Sequence, residues 1–319
     1  MNPRLRPPLL AALVLLAAGG LRLGIEQSVS ESFRRDGLLD EPLEIGLREK
    51  IGQNSSAVAL AGLRTLVATF THLQATDDFY STRWTDLAKA METTVQLAPR
   101  ASYYWDIGGW HIGVNASAWY RTESGLPPLR ARAESRRWVE KGREFFERGI
   151  RNNPYDWRLA AALGSLCSDS YRFPDDKRAA AAYARAAASG EAPLSVHRAR
   201  LIAEARAAEH PERTLAEIRQ LLREPRNRVP TLLCLAYTLE RRLEAPADPL
   251  ARTLEIFGTQ EKALRNLGGY LLNIHDRLPM DGVETAVRLL EHHQQIPPED
   301  PRSFIFKRDH LPEQLSPFR

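Results

Sequence analysis

Two glycine pairs set inside stretches that otherwise read as helix, Gly108-Gly109 and Gly268-Gly269, constrain the fold of this chain more than any other feature. Glycine in mid-helix is about 1 kcal/mol less favourable than alanine, so a helix that keeps it needs a neighbour close enough to use the missing side chain. The run from Ala179 to Ala188, broken only by Tyr183 and Arg185, makes the same demand: strong helix propensity with little bulk. Beyond residue 25 almost nothing alternates apolar with polar as a half-buried strand must. From Ser56 onward Val58, Leu60, Leu63, Leu66, Val67 and Phe70 recur at helical spacing and form a stripe expected to be covered. The expected class is all-α, built of antiparallel helix pairs in close contact.

Three stretches repeat one arrangement, in which a first helix carries a large residue, then small ones, and a second carries a small residue, a large one and a following proline. In the first stretch Trp105, Gly108, Gly109 and Ile112 precede Gly142, Phe146, Gly149 and Pro154, with an insertion at about 121 to 131 holding Gly125, Pro127 and Pro128. In the second, Ala160, Leu163, Gly164 and Cys167 precede Ala179, Tyr183 and Ala186. In the third, Leu264, Leu267, Gly268 and Leu271 precede Ala286, Leu290, His293 and Pro298. A half-match, Leu87, Met91, Thr94 and Pro99, comes before them all. From about 195 to 255 helical stretches continue (Leu201 to Ala208, Thr214 to Leu222, Pro230 to Leu243) without the small-residue signature.

The segments IGQNSSAVALAGLRTLVA, VQLAPRASYYWDIGGWHIGVNAS and WVEKGREFFERGIRNNPYDWRL carry a family resemblance over a little under half of the chain. From Ile51 to about Ala187 the chain is similar to membrane-anchored bacterial members of the tetratricopeptide-repeat (TPR) superfamily. The resemblance implies a TPR-like helical-repeat solenoid of antiparallel helix pairs, whose concave face holds an extended peptide or a partner helix.

At the start, Arg4 and Arg6 precede the uncharged run from Leu9 to Leu21, which Arg22 follows at once. A helix of that length rises about 20 Å, so spanning a core of about 30 Å needs flanking residues to contribute. Residues 1–25 read as a retained hydrophobic anchor helix, with a signal peptide cut near Ala18 and Gly20 as the alternative. Either way the bulk of the chain is expected on the extracytoplasmic (periplasmic) side. The remaining divisions are a juxtamembrane spacer at 26–55, a helical-repeat domain at 56–295 and a proline-rich tail at 296–319. In that tail Phe304, Ile305 and Phe306 are placed to dock on the last helices.

Chemistry-bearing motifs are absent. His292 and His293 are adjacent and point about 100° apart on a helix, so they cannot act as an i, i+4 metal pair. Neither a Gly-x-Ser-x-Gly nucleophile elbow nor a phosphate-cradling glycine loop occurs. Cys167 and Cys234 read as two buried thiols. A formal charge of +4, from 44 Lys plus Arg against 40 Asp plus Glu, is too small to imply nucleic acid. The block from Arg121 to Arg151, with pairs such as Glu140 with Arg143 and Glu144 with Arg148, reads as a solvated helix face, and binding of acidic surfaces is its minor reading. No cofactor and no metal are expected.

What stands out is aromatic. Tyr103, Tyr104, Trp105, Trp110, Trp119 and Tyr120 share one helical stretch, more rings than one core-facing stripe holds. Some fill spaces between repeats; the rest are expected to face a groove. The best candidates for partner contact are Tyr104, Trp110, His111 and Asn115. The expected activity is non-catalytic: a membrane-tethered scaffold or adaptor that binds a protein or peptide partner through its helical-repeat groove, within an envelope-associated assembly. The alternatives are a polysaccharide-acting enzyme of the α/α-toroid type, with Asp106 and Glu140 as carboxylates, and a purely structural spacer.

Overall fold

The structure, a computed structural model, describes residues 64–244, 248–274 and 277–310. The apolar run at 9–21, the spacer at 26–55 and the tail beyond 310 lie outside the described residues. Among the described residues there is no strand, and no helix is long and apolar enough to cross a membrane. The chain divides into two compact units, one of residues 64–77 with Lys89–Ala101, the other of Asp78–Ala88 with residues 102–310.

The smaller unit holds most of α1 (Arg64–Tyr80) and of α2 (Trp84–Leu97). The hydroxyl groups of Thr71 and Thr94 hydrogen bond across it at 2.8 Å, and the Arg64 guanidinium donates to the Gln96 carbonyl at 3.4 Å. Its buried side chains include Ala68, Ala75, Met91 and Val95. This corrects the described part of the stripe read from the sequence, since Leu66 is 50% and Phe70 63% exposed; Val58, Leu60 and Leu63 lie outside the described residues. Ala68 and Ala75, seven residues apart on one face, allow a closer approach than the larger side chains on the other.

In the larger unit α3 (Ser102–Trp110) runs through a single π-helical turn (His111–Ala116) into α4 (Ser117–Thr122), and this composite rod packs on α5 (Pro128–Asn152). The insertion expected at 121–131 is mostly helix, because both rods are lengthened and the connection shrinks to 123–127. Pro128 opens α5, where its missing N–H has no intrahelical partner to lose. Then follow α6 (Trp157–Ser168), α7 (Asp176–Ala187), α8 (Leu194–Ala207), α9 (Pro211–Leu221), α10 (Pro230–Leu243), α11 (Pro249–Phe257), α12 (Gln260–Ile274), α13 (Val283–His293) and the short α14 (Phe304–Asp309). Asp156, Asp175 and Asp248 cap α6, α7 and α11 by accepting backbone N–H bonds. Among the described residues, closely packed helices are chain neighbours or next-but-one neighbours, such as α8 with α10 and α11 with α13. The architecture is therefore all-α, with helices packed in neighbouring pairs, an arrangement compatible with a helical repeat.

Glycines set the closest approaches. A β-carbon on Gly109 would stand 2.6 Å from the Phe146 ring, one on Gly149 2.8 Å from Trp105, and one on Gly164 2.8 Å from the Tyr183 ring. Large and small positions of paired helices thus interlock as the first two repeats require, and Gly108 is buried beside them. The third repeat differs. Gly268 is covered by Phe304 of α14, not by α13, while Gly269 has open space beside it and His293 is exposed. The second glycine of that pair therefore has no packing role.

Where the small-residue signature lapses, leucines and ion pairs take over. Leu201, Leu215, Ile218, Leu232, Leu235 and Leu239 form one buried cluster across α8, α9 and α10. Arg200 of α8 pairs with Glu217 of α9, and Glu240 of α10 receives both Arg219 of α9 and Arg252 of α11. At the C-terminal end Ile305 is buried, and Glu291 accepts from the Ser303 hydroxyl at 2.9 Å and the Phe304 N–H at 2.6 Å.

Candidate functional site

The π turn at His111–Ala116 is where the sequence-derived candidates gather. A π turn widens the helix by one residue and loosens its carbonyls, and such turns are frequent at functional sites. Ser117 restores part of the bonding: its buried hydroxyl lies 2.7 Å from the Gly113 carbonyl and 3.0 Å from that of Val114. On the outer side of the turn the Asn115 amide group and Nδ1 of His111 hydrogen bond at 2.9 Å.

Rings enclose this polar pair on two sides. Phe79 lies 4.5 Å from the His111 ring centroid, and Trp110 stands edge-on to it at 5.7 Å. Trp110, His111 and Asn115 are thereby brought together. Tyr104 is about two turns nearer the helix N-terminus, its ring against that of Tyr103 at 5.6 Å. His111 and Asn115 are half-buried, whereas Trp110 is 49% and Tyr103 61% exposed.

The other rings are structural. Phe79 meets Trp84 at 5.8 Å, Trp84 meets Trp119 at 6.3 Å, and Tyr120 stacks on Trp138 at 5.5 Å and 18°. Trp84 and Trp138 are buried. This continuous ring contact ties residues 78–88 to the composite rod and to α5, so the aromatic block divides its duties between core and surface. Phe79 was not singled out in the sequence because it sits in the preceding hairpin, outside the aromatic block. Asp78 and Arg83 set its position: the Asp78 carboxylate accepts from Arg83 at 2.8 Å and the Asp78 carbonyl from the Arg83 N–H at 2.8 Å, closing the turn that contains Thr82 at φ +54°.

Of the two carboxylates an α/α-toroid enzyme would use, Asp106 is exposed on α3, and Glu140 has both oxygens occupied, one by Arg143 and the other by Arg178 at 3.0 Å. Arg143 is the exception to the reading of its block as a solvated face, which holds for the exposed Arg130, Arg132, Arg136, Arg137 and Arg151. Arg143 itself is only 2% exposed, because its guanidinium turns inward to donate to the Phe173 carbonyl at 2.6 Å. Both cysteines are buried and unbonded to each other, and burial pushes the Cys167 thiol up to about 11 and the Cys234 thiol up as well. Comparison with protein-family models, with characterised proteins and with solved structures gives no match to this chain.

Proposed function

We propose that this chain is a non-catalytic, membrane-tethered scaffold of TPR-like helical repeats that binds a protein or peptide partner. Residues 9–21 anchor it, the repeats stand on the extracytoplasmic side, and the partner lies along the groove-facing surface of the first repeat within an envelope-associated assembly. One observation carries the reading: an exposed Trp110 ring set beside the hydrogen-bonded His111–Asn115 pair. A rigid apolar anchor next to a polar clamp suits recognition of extended backbone, because the ring gives contact area at little entropic cost and the amide fixes orientation. The glycine contacts of Gly109, Gly149 and Gly164 support the helical-repeat part of the reading.

The test uses the membrane-embedded full chain with a photo-crosslinking side chain at position 103, alongside the variants Trp110→Ala and Asn115→Ala. A discrete crosslinked partner, lost in either variant while circular dichroism is unchanged, supports the site. Unchanged crosslinking in both variants discards it. The same capture without residues 1–25 reads whether tethering is needed.

A further inference from the structure

The basic block of α4 and α5 gathers several guanidinium groups around a single ring. Arg121, Arg132 and Arg136 bring their guanidinium carbons to 5.6, 5.9 and 4.9 Å from the centroid of one ring, Phe173. Contact with a ring face is only weakly favourable at an exposed site, while like charges gathered there repel one another. Partial burial, and after it the charge of Arg132, push the pKa of Arg121 down.

Neighbouring cations are already committed. Arg178 pairs with Glu140 and Glu147, Arg206 with Asp176, Lys177 with Glu209 and Arg137 with Glu134. For Arg132 and Arg136 the Phe173 ring is the recorded partner, and among the described residues no carboxylate lies within ion-pair reach of either. Both line an open cleft of about 800 Å³. Its three carboxylates are engaged: Glu140 and Asp176 in the pairs above, and Asp175 by the Arg178 N–H at 3.1 Å. Phe173 is itself held in place. Its φ of +54° is a region that non-glycine residues seldom occupy, and Arg143 clamps its carbonyl. Strain of that kind persists where the surroundings fix it, and it clusters at binding sites.

We infer that this cleft is a binding site for a phosphoryl group, either of a soluble phosphate ester or of a lipid headgroup. Guanidinium forks match phosphate oxygens two at a time, and a compact dianion sets more negative charge between Arg132 and Arg136, the two cations of the cleft that have no carboxylate partner, than a monoanionic carboxylate does. The site is separate from the Trp110 surface and does not rest on the scaffold reading.

Calorimetric titration of the detergent-solubilised full chain with inorganic pyrophosphate tests it, together with co-sedimentation on phosphatidate vesicles against phosphatidylcholine vesicles. Saturable pyrophosphate binding is expected, weakened about tenfold or more in the double variant Arg132→Ala/Arg136→Ala and unchanged in Arg137→Ala. The double variant Arg132→Lys/Arg136→Lys keeps the charge but not the fork, and falls between. Binding confined to pyrophosphate points to a soluble ester and binding confined to phosphatidate to a headgroup; either supports a phosphoryl site. Absence of saturable binding in both arms overturns it, and so does equal weakening by Arg137→Ala, the mark of a diffuse basic surface. All three arginines changed are exposed, so unchanged circular dichroism is expected throughout.

Discussion

Gly142 of α5 lies against Gly113 of the π turn with backbone touching backbone: a β-carbon on Gly142 would stand 2.7 Å from the Gly113 nitrogen and closer still to its α-carbon. Neither contact atom is the end of a flexible side chain, so nothing can swing aside.

Gly142→Ala therefore sets two effects in opposition. Helix propensity alone would favour alanine by about 1 kcal/mol, and forcing the rods apart costs about 1–3 kcal/mol or more. The second wins where the clash is with backbone, so net destabilisation is expected, read as a lower urea midpoint. Gly269→Ala is the control, since it has open space and sits inside α12; it should raise the midpoint. Stabilisation by both substitutions would refute close packing at Gly142.

Glu291 holds the C-terminal helix by its carboxylate. Truncation to alanine leaves the Ser303 hydroxyl and the Phe304 N–H without their acceptor, a loss of about 1–3 kcal/mol, and loosens the Phe304 ring over Gly268. Hydrogen exchange should quicken selectively at the amides of α14. Glu291→Gln keeps a carbonyl acceptor and should quicken it less. Equal exchange in wild type and Glu291→Ala would show that α14 is held by Ile305 burial alone.

The all-α class was legible because glycine, alanine and large residues sit at helical spacing with no strand alternation. The interlocking of Trp105 with Gly149 and of Gly164 with Tyr183 was legible for the same reason. What covers Gly268 was only half visible: docking of Phe304 was expected, but the pattern assigned the contact to α13. The segment from 195 to 255 hid its pairing because buried leucines and Arg–Glu pairs leave no small-residue mark. That Trp110, His111 and Asn115 lie together follows from their spacing on one helix, whereas the π turn and Phe79 had no signal in the sequence, since a one-residue widening has no periodic signature. Arg143 misled for a related reason. An i, i+3 partner at Glu140 reads as a surface pair, and only the returning loop at Phe173 shows that the guanidinium points inward.

That inward guanidinium carries a prediction of its own. Arg143→Met keeps much of the buried stem but removes the donor to the Phe173 carbonyl, leaving a partly buried acceptor unpaired and Glu140 with Arg178 alone. A loss of about 1–3 kcal/mol is expected in chemical denaturation. A change within experimental error would mean that the loop carrying Phe173 is held by its other contacts.

Glu240 supplies the pH dependence. Burial works to raise its pKa, but hydrogen bonds from Arg252 and Arg219 outweigh that and hold it below the ordinary 4.5. Arg219 donates at 2.6 Å and Arg252 at 2.7 and 2.8 Å, so one carboxylate joins α9, α10 and α11. A folded-state pKa below the unfolded value means that, as pH falls past 4.5, the unfolded chain takes up a proton that the folded chain refuses, and acid drives unfolding. The stability contributed by Glu240 is thus fully present well above pH 4.5 and is lost as pH drops through the depressed folded value. Glu240→Gln removes the charge and the titration together. It should lower stability at neutral pH by on the order of 1 kcal/mol, since both arginines are partly exposed, and should flatten the acid limb of a stability-versus-pH curve. Parallel acid limbs in wild type and variant would show that the α9–α10–α11 junction rests on its leucine cluster, with the arginine pairs adding nothing measurable.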